Sequence, residues 1–226
     1  MEFFRQTFTI MVKDLRAEMR NKEAIQAALA FALVILILFS FAFDPDDEMV
    51  RKMSGGLLWI VFAFTGVLVL NRSFVRELPN DCLDALIAAP ISRSALFLGK
   101  VLANFVIVMF VELVSMPICG IFYRVHWTRQ FWPLMAVLAA GAWALTVIGT
   151  FFSALTVNIK LREIMVPMLV YPVMIPALMS VMLLSQQLVI GEPVTPDMQI
   201  WVKMIVVFDV IFTALSLVLI ETVLVG

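Results

Sequence analysis

Six long apolar runs decide what this chain can fold into. They occupy residues 24–43, 55–70, 101–122, 133–157, 164–185 and 204–225, more than half of the 226 residues. A helix needs about 20 mainly apolar residues to cross the hydrocarbon core of a bilayer. The second run is short, but Asn71 and Arg72 at its end can snorkel to the headgroups. Membrane strands would alternate apolar and polar with period two, and nothing here alternates over a strand's length. The composition agrees: 63% of residues are hydrophobic and 15% are charged, against roughly 45–50% and 25% in soluble domains. The expected fold class is all-α. It is a polytopic membrane protein with six transmembrane helices, forming a single transmembrane permease domain over 1–226.

The first run is too long for the apolar core of a signal peptide. It leads into Asp44-Pro45-Asp46-Asp47-Glu48 instead of a small-residue cleavage site. Six spans place both termini on one side, and lysine and arginine choose the side. Eleven of the sixteen fall in residues 1–23 and in the second and fourth connections. Both termini are therefore expected in the cytoplasm, with the acidic run outside.

Several function classes drop out. A net charge of −1 carries no nucleic-acid signature. Two cysteines and one histidine, His126, leave no disulfide framework, metal cluster or Ser–His pair. With Trp127 and Trp132 nearby, His126 reads as part of an outer interfacial belt. No catalytic residue and no metal ligand is assigned, and no cofactor is bound by this chain. Gly99-Lys100 is not a nucleotide-binding loop, because Ser94 stands where the first glycine belongs and Val101 where the serine or threonine belongs. Secondary transporters usually carry internal repeats, and residues 1–113 and 114–226 show none. Transport would need a partner chain or an ion gradient.

Two polar segments stand outside the spans. In residues 1–23, Phe4, Phe8, Met11, Leu15 and Met19 share one helical face, while Arg5, Lys13, Arg16 and Arg20 cluster on another. That is the pattern of an interfacial helix on anionic lipid. The second connection, 71–100, can form a short helix capped by Asn80 or Asp81, with Leu83, Leu86 and Ile87 on one face. Pro90 should end it at Ala89, and Ser92 or Ser94 can cap the next helix. Such a surface helix suits a cytoplasmic partner; an ordinary loop helix lying on the bilayer explains the pattern equally well.

Within the spans, Pro167, Pro172 and Pro176 predict a kinked or partly unwound fifth helix, either a moving element or a bent packing helix filled with methionine. With 15 methionines in the chain, a methionine haem ligand has no specificity. Glu112 falls at mid-span with no lysine or arginine at matching depth. It is either protonated or met by a polar group of another subunit. Asp209 and Glu221 read as interfacially solvated. Ala136, Ala140 and Ala144, and Gly149 with Ser153, have small-xxx-small spacing for close helix contact.

The order of basic interfacial helix, two spans, long connection and four more spans resembles permease subunits of exporter-type ABC systems. Several stretches sharpen the likeness. They are Gly56-Leu57-Leu58-Trp59, Arg72-Ser73-Phe74-Val75-Arg76-Glu77, Leu83-Asp84-Ala85-Leu86-Ile87-Ala88-Ala89-Pro90, Leu98-Gly99-Lys100, Arg162-Glu163-Ile164-Met165-Val166-Pro167 and Tyr171-Pro172-Val173-Met174-Ile175-Pro176. In these the chain resembles the CcmB family across its length, with Asp84 where a glutamate is commoner.

The resemblance implies a bacterial inner-membrane subunit in cytochrome c maturation. It implies a cytoplasmic ABC ATPase that binds the ATP, a second copy of the chain, a haem-presenting membrane subunit and a periplasmic haem chaperone. Coupling would run through 76–100, with Arg76, Glu77, Asp81, Leu83, Asp84, Leu86, Ile87, Pro90 and Lys100 as its residues. The work would be haem export or release of the haem-loaded chaperone. The alternatives are an exporter-type ABC permease for a lipid, drug or saccharide, and a membrane enzyme using Glu112 as acid or base.

Overall fold

The computed structural model describes residues 2–44, 47–78, 86, 88–123 and 128–223, without the side chains of Glu48 and Arg76. Asp81, Leu83, Asp84 and Ile87, like His126 and Trp127, lie outside the described residues. Among the described residues seven long helices follow one another: α1 (Glu2–Asn21), α2 (Glu23–Ala42), α3 (Glu48–Leu70), α4 (Arg93–Tyr123), α5 (Phe131–Leu155), α6 (Arg162–Val189) and α7 (Gln199–Val223). Short 3-10 turns sit at Val75–Glu77 and Pro196–Met198. Six of the helices are long and apolar enough to cross a membrane, and α1 is not among them. The protein is an all-α, multi-pass membrane protein.

The helices run further than the apolar runs. Asp47 caps α3 by accepting from the Met49 N–H at 2.8 Å, which carries α3 out past Arg51 and Lys52. Ser92 accepts from the Ala95 N–H at 3.2 Å, so α4 starts at Arg93, before the apolar run at 101. At 31 residues, α4 is roughly 46 Å long by its 1.5 Å rise per residue. The hydrocarbon core is only about 30 Å thick. The first turns of α4 therefore project beyond the core, and they carry Lys100.

The helices pack through glycine notches. Trp59 of α3 fills the space a Cβ at Gly141 of α5 would take, and Leu70 does the same at Gly149. In return, Leu145 of α5 fills the notch at Gly66 of α3. These three knobs lock two parallel helices together. The notches are the glycines, Gly149 of the expected Gly149–Ser153 spacing among them; of the expected alanines, Ala136 is exposed, Ala140 half-buried and Ala144 buried. Gly55 lets α3 meet the α6 backbone at Ser185 and Gln186, and the Trp59 indole donates to Ser185 Oγ at 2.8 Å.

Of the kink or partial unwinding expected at Pro167, Pro172 and Pro176, unwinding does not occur: α6 is one continuous helix with all three prolines inside it. Pro167 lacks the N–H that would bond the Glu163 carbonyl. The Asn71 side-chain amide donates to that carbonyl at 3.5 Å. At Pro176 the carbonyl accepts from Ser180 Oγ at 2.8 Å. Phe31, Val34, Leu38 and Phe41 of α2 and Val206, Val210, Ile211 and Val218 of α7 are exposed. In water such faces would be a liability; in a bilayer they meet acyl chains.

Candidate functional site

The main polar centre lies where α1 crosses the start of α4. Lys100 is 1% exposed. A buried ammonium needs an acceptor for each of its three N–H groups. It donates to Glu77 Oε1 at 2.9 Å, to the Ser73 carbonyl at 3.0 Å and to Asp14 Oδ2 at 3.2 Å. The Phe74 ring lies 4.8 Å from the same nitrogen, a cation–π contact. Lys13 reaches Glu77 Oε1 at 2.5 Å and Asp14 Oδ1 at 3.1 Å. Two cations and two anions thus cancel at one point. Burial alone would lower the Lys13 pKa, but the Glu77 hydrogen bond and the charges of Asp14 and Glu77 outweigh it and hold it above 10.5.

Neighbouring contacts extend this network. One turn on from Lys100, the Asn104 amide donates to Ser73 Oγ and to Thr150 Oγ1 of α5, both at 2.9 Å. Gln6 of α1 donates to the Pro90 carbonyl at 3.4 Å and accepts from the Ser92 N–H at 3.3 Å. Glu18 Oε1 accepts from the Ala24 and Ile25 N–H groups and so caps α2. Arg72 pairs with Glu23 at 2.9 Å on the surface. Ser94 donates to Glu221 at 3.1 Å, tying the end of α7 to the start of α4. Helix α1, the 71–78 segment, the 90–92 segment and α4 form one bonded unit.

Helix α1 turns three faces outward and inward. Thr7, Ile10 and Glu18 are buried against the bundle. Phe4, Phe8 and Met19 are exposed at 76, 61 and 68%, and Arg5, Arg16 and Arg20 are also exposed. This is the geometry of a helix lying in an interface. Gly99 permits its close approach, because a Cβ there would sit 2.8 Å from Ile10 Cβ and the Thr7 carbonyl.

The expected coupling residues therefore divide. Glu77 and Lys100 come together but are buried, so neither presents a surface to a partner. Leu86 is half-buried and helical, and Pro90 is exposed in a bend that has ended the helix by Ala89. Arg76 lies in the 3-10 turn. The sequence reading missed Asp14, Ser73, Asn104 and Thr150. Asn104 had a legible signal, since it stands four residues after Lys100 on a helix and so on the same face.

Within the bundle, Glu112 is 1% exposed and neither carboxylate oxygen has a partner among the described residues. Burial within this chain argues against the second of its two expected accounts, a polar group of another subunit. Asp209 lies ten residues into α7, about 15 Å along it. The residue is half-buried, and its Oδ1 is buried without a partner among the described residues. Among those residues no group of His, Cys, Asp or Glu is placed to hold a metal.

Six apolar helices, an amphipathic helix across one end and a buried ion-pair centre beneath it define a class: a multi-pass membrane protein with an interfacial N-terminal helix. Residues 5–220 match the family described as CcmB protein. The chain belongs to the CcmB family. Among its relatives, "Heme exporter protein B" of Rhodobacter capsulatus is 30% identical over 169 residues, covering 75% of this chain and 77% of the relative. The protein of the same name from Paracoccus denitrificans is 28% identical over 169 residues, with the same shares. That from Haemophilus influenzae is 26% identical over 171 residues, covering 75% and 76%.

Proposed function

We propose that this chain is the permease subunit of an ABC-type haem-export system serving cytochrome c maturation in a bacterial inner membrane. ATP is hydrolysed on a separate cytoplasmic chain, and two copies of the permease pair with two such ATPases. A haem-presenting membrane subunit and a periplasmic haem chaperone complete the complex. Haem is its cargo, and the work done is haem export or release of the loaded chaperone. The relatives' shared name, heme exporter protein B, supports the cargo.

The observation that carries the coupling is the Lys100 centre. It bonds the 71–78 segment to α1 and α4, so a push on the connection moves two helices together. Glu77 and Lys100 act as positioning residues, while Leu86, Pro90 and the residues between 79 and 87 meet the ATPase. Deletion of the gene should abolish covalent haem staining of c-type cytochromes, restored by the wild-type chain. Leu86→Asp should reduce co-purification of the ATPase in mild detergent while membrane insertion persists. Normal staining in the deletion strain would sink the cargo; unchanged co-purification would sink the docking.

A further inference from the structure

Helix α7 leaves most of its surface to the bilayer. Val206, Val207, Val210 and Ile211 are 53 to 64% exposed, and Asp209 stands among them. Its carboxyl lies at the edge of the bundle. Oδ1 is turned inward without a partner, while Oδ2 reaches the surface, and no ion pair or hydrogen bond holds it among the described residues. Lys203 is exposed nearer the start of α7, where a lysine can snorkel to the headgroups. Asp209 lies six residues further in, about 9 Å by the helix rise. The single methylene of an aspartate cannot bridge that distance. A carboxyl among acyl chains costs free energy unless a donor meets it.

This chain has no cation to offer there. None of its lysines or arginines falls within the six apolar runs. A second copy therefore brings no positive charge to this depth, and a two-fold contact through α7 would set two carboxyls against each other. The Trp143 indole of α5 already donates to Thr213 Oγ1 of α7 at 3.0 Å. That bond fixes the register of α5 on α7, which cross the bundle in the same direction. One turn before Thr213 stands Asp209. One turn before Trp143 stands Ala139, half-buried, with Ala140 half-buried beside it and Ala136 exposed a turn beyond. Small residues on α5 thus lie level with the carboxyl on α7, and small residues let another helix approach closely.

We propose that this face is the docking site for a transmembrane helix of a different chain, one that presents a lysine or arginine at the depth of Asp209. The cation donates to Asp209 Oδ2, the alanines of α5 admit the helix backbone, and Val206 and Val210 pack beside it. The site says where a second kind of membrane subunit attaches. It rests on the proposed function only for there being such a subunit.

A photoreactive benzoylphenylalanine in place of Val210 tests this in the full chain. Native membranes are irradiated and the adducts are mapped by peptide mass spectrometry. The expected adduct joins position 210 to an apolar span of another protein that contains a lysine or arginine. Asp209→Leu should lower its yield roughly tenfold, as loss of one interhelical polar contact in lipid would, and Asp209→Glu should keep it. Asp209→Lys should also lower it, and an aspartate in place of the partner's cation should then restore it. An adduct only to lipid or to a second copy, or to a span without a basic residue, overturns the proposal. So does a yield unchanged in Asp209→Leu, the result a solvated carboxyl needing no partner would give, or no recovery in the exchanged pair. Should Asp209→Leu not insert, the identity of the adduct in the otherwise wild-type chain decides. Normal haem staining in the deletion strain would remove the haem reading and leave this adduct in place. Loss of staining without the adduct would remove the docking site alone.

Discussion

Lys100 and Glu112 stand on one helix, and both are 1% exposed, yet their surroundings are opposite. Lys100 is saturated by acceptors; Glu112 has none among the described residues. Removing one member of a buried ion pair leaves the other charge uncompensated. Lys100→Met should therefore destabilise the protein by about 3 kcal/mol, read from thermal unfolding in detergent. Adding Glu77→Gln to that variant should cost less than Glu77→Gln alone costs the wild type, because the two side chains share one network. Glu112→Leu should act in the other direction. It replaces a carboxyl without partners by an apolar group and should raise stability by about 1–3 kcal/mol. If cytochrome c maturation fails in that more stable protein, Glu112 is kept for function; if maturation is normal, it has no part in it.

At the scale of elements, α1 shows what the sequence could and could not reveal. Its helical period and its exposed Phe4, Phe8 and Met19 face were legible, because lipid and water sort side chains by a simple rule. The buried face was not, since Asp14 meets Lys100 86 residues away and no local pattern encodes that pairing. The spans were legible for the same reason as the exposed face. Their ends were not, because Asp47, Ser92 and protein contacts extend helices where hydropathy has already fallen. Two outcomes test how α1 is held. Gly99→Val puts a branched side chain where a Cβ already meets Ile10 and Thr7 at 2.8 Å, and should expose residues 2–21 to hydrogen exchange without melting the bundle. The Lys13 pKa is raised above 10.5, so its contribution is fully present below that pH and is lost as pH rises through the raised value. Protection of α1 should accordingly fall on the alkaline side, and less so in Lys13→Met. Unchanged protection in both experiments would show that α1 is held by something other than this centre.

For the whole molecule, orientation decides whether the proposed coupling is possible. Positive charges, not net charge, set the side of a short connection. Lys13, Lys100 and Arg72 therefore count even though Asp14, Glu77 and Glu23 neutralise them in the folded state. With eleven of sixteen basic residues at the end that carries α1, that end should face the cytoplasm. A fluorescent protein fused to the C-terminus should light up, since it folds only in the cytoplasm. Alkaline phosphatase fused after Val194, in the connection before α7, should be active, since it needs the oxidising exterior. The reverse pattern would turn the Lys100 centre and the 71–100 connection outward. No ATP-hydrolysing partner could then reach them, and the coupling reading would fall together with the topology, while the family assignment and the six-span fold would stand.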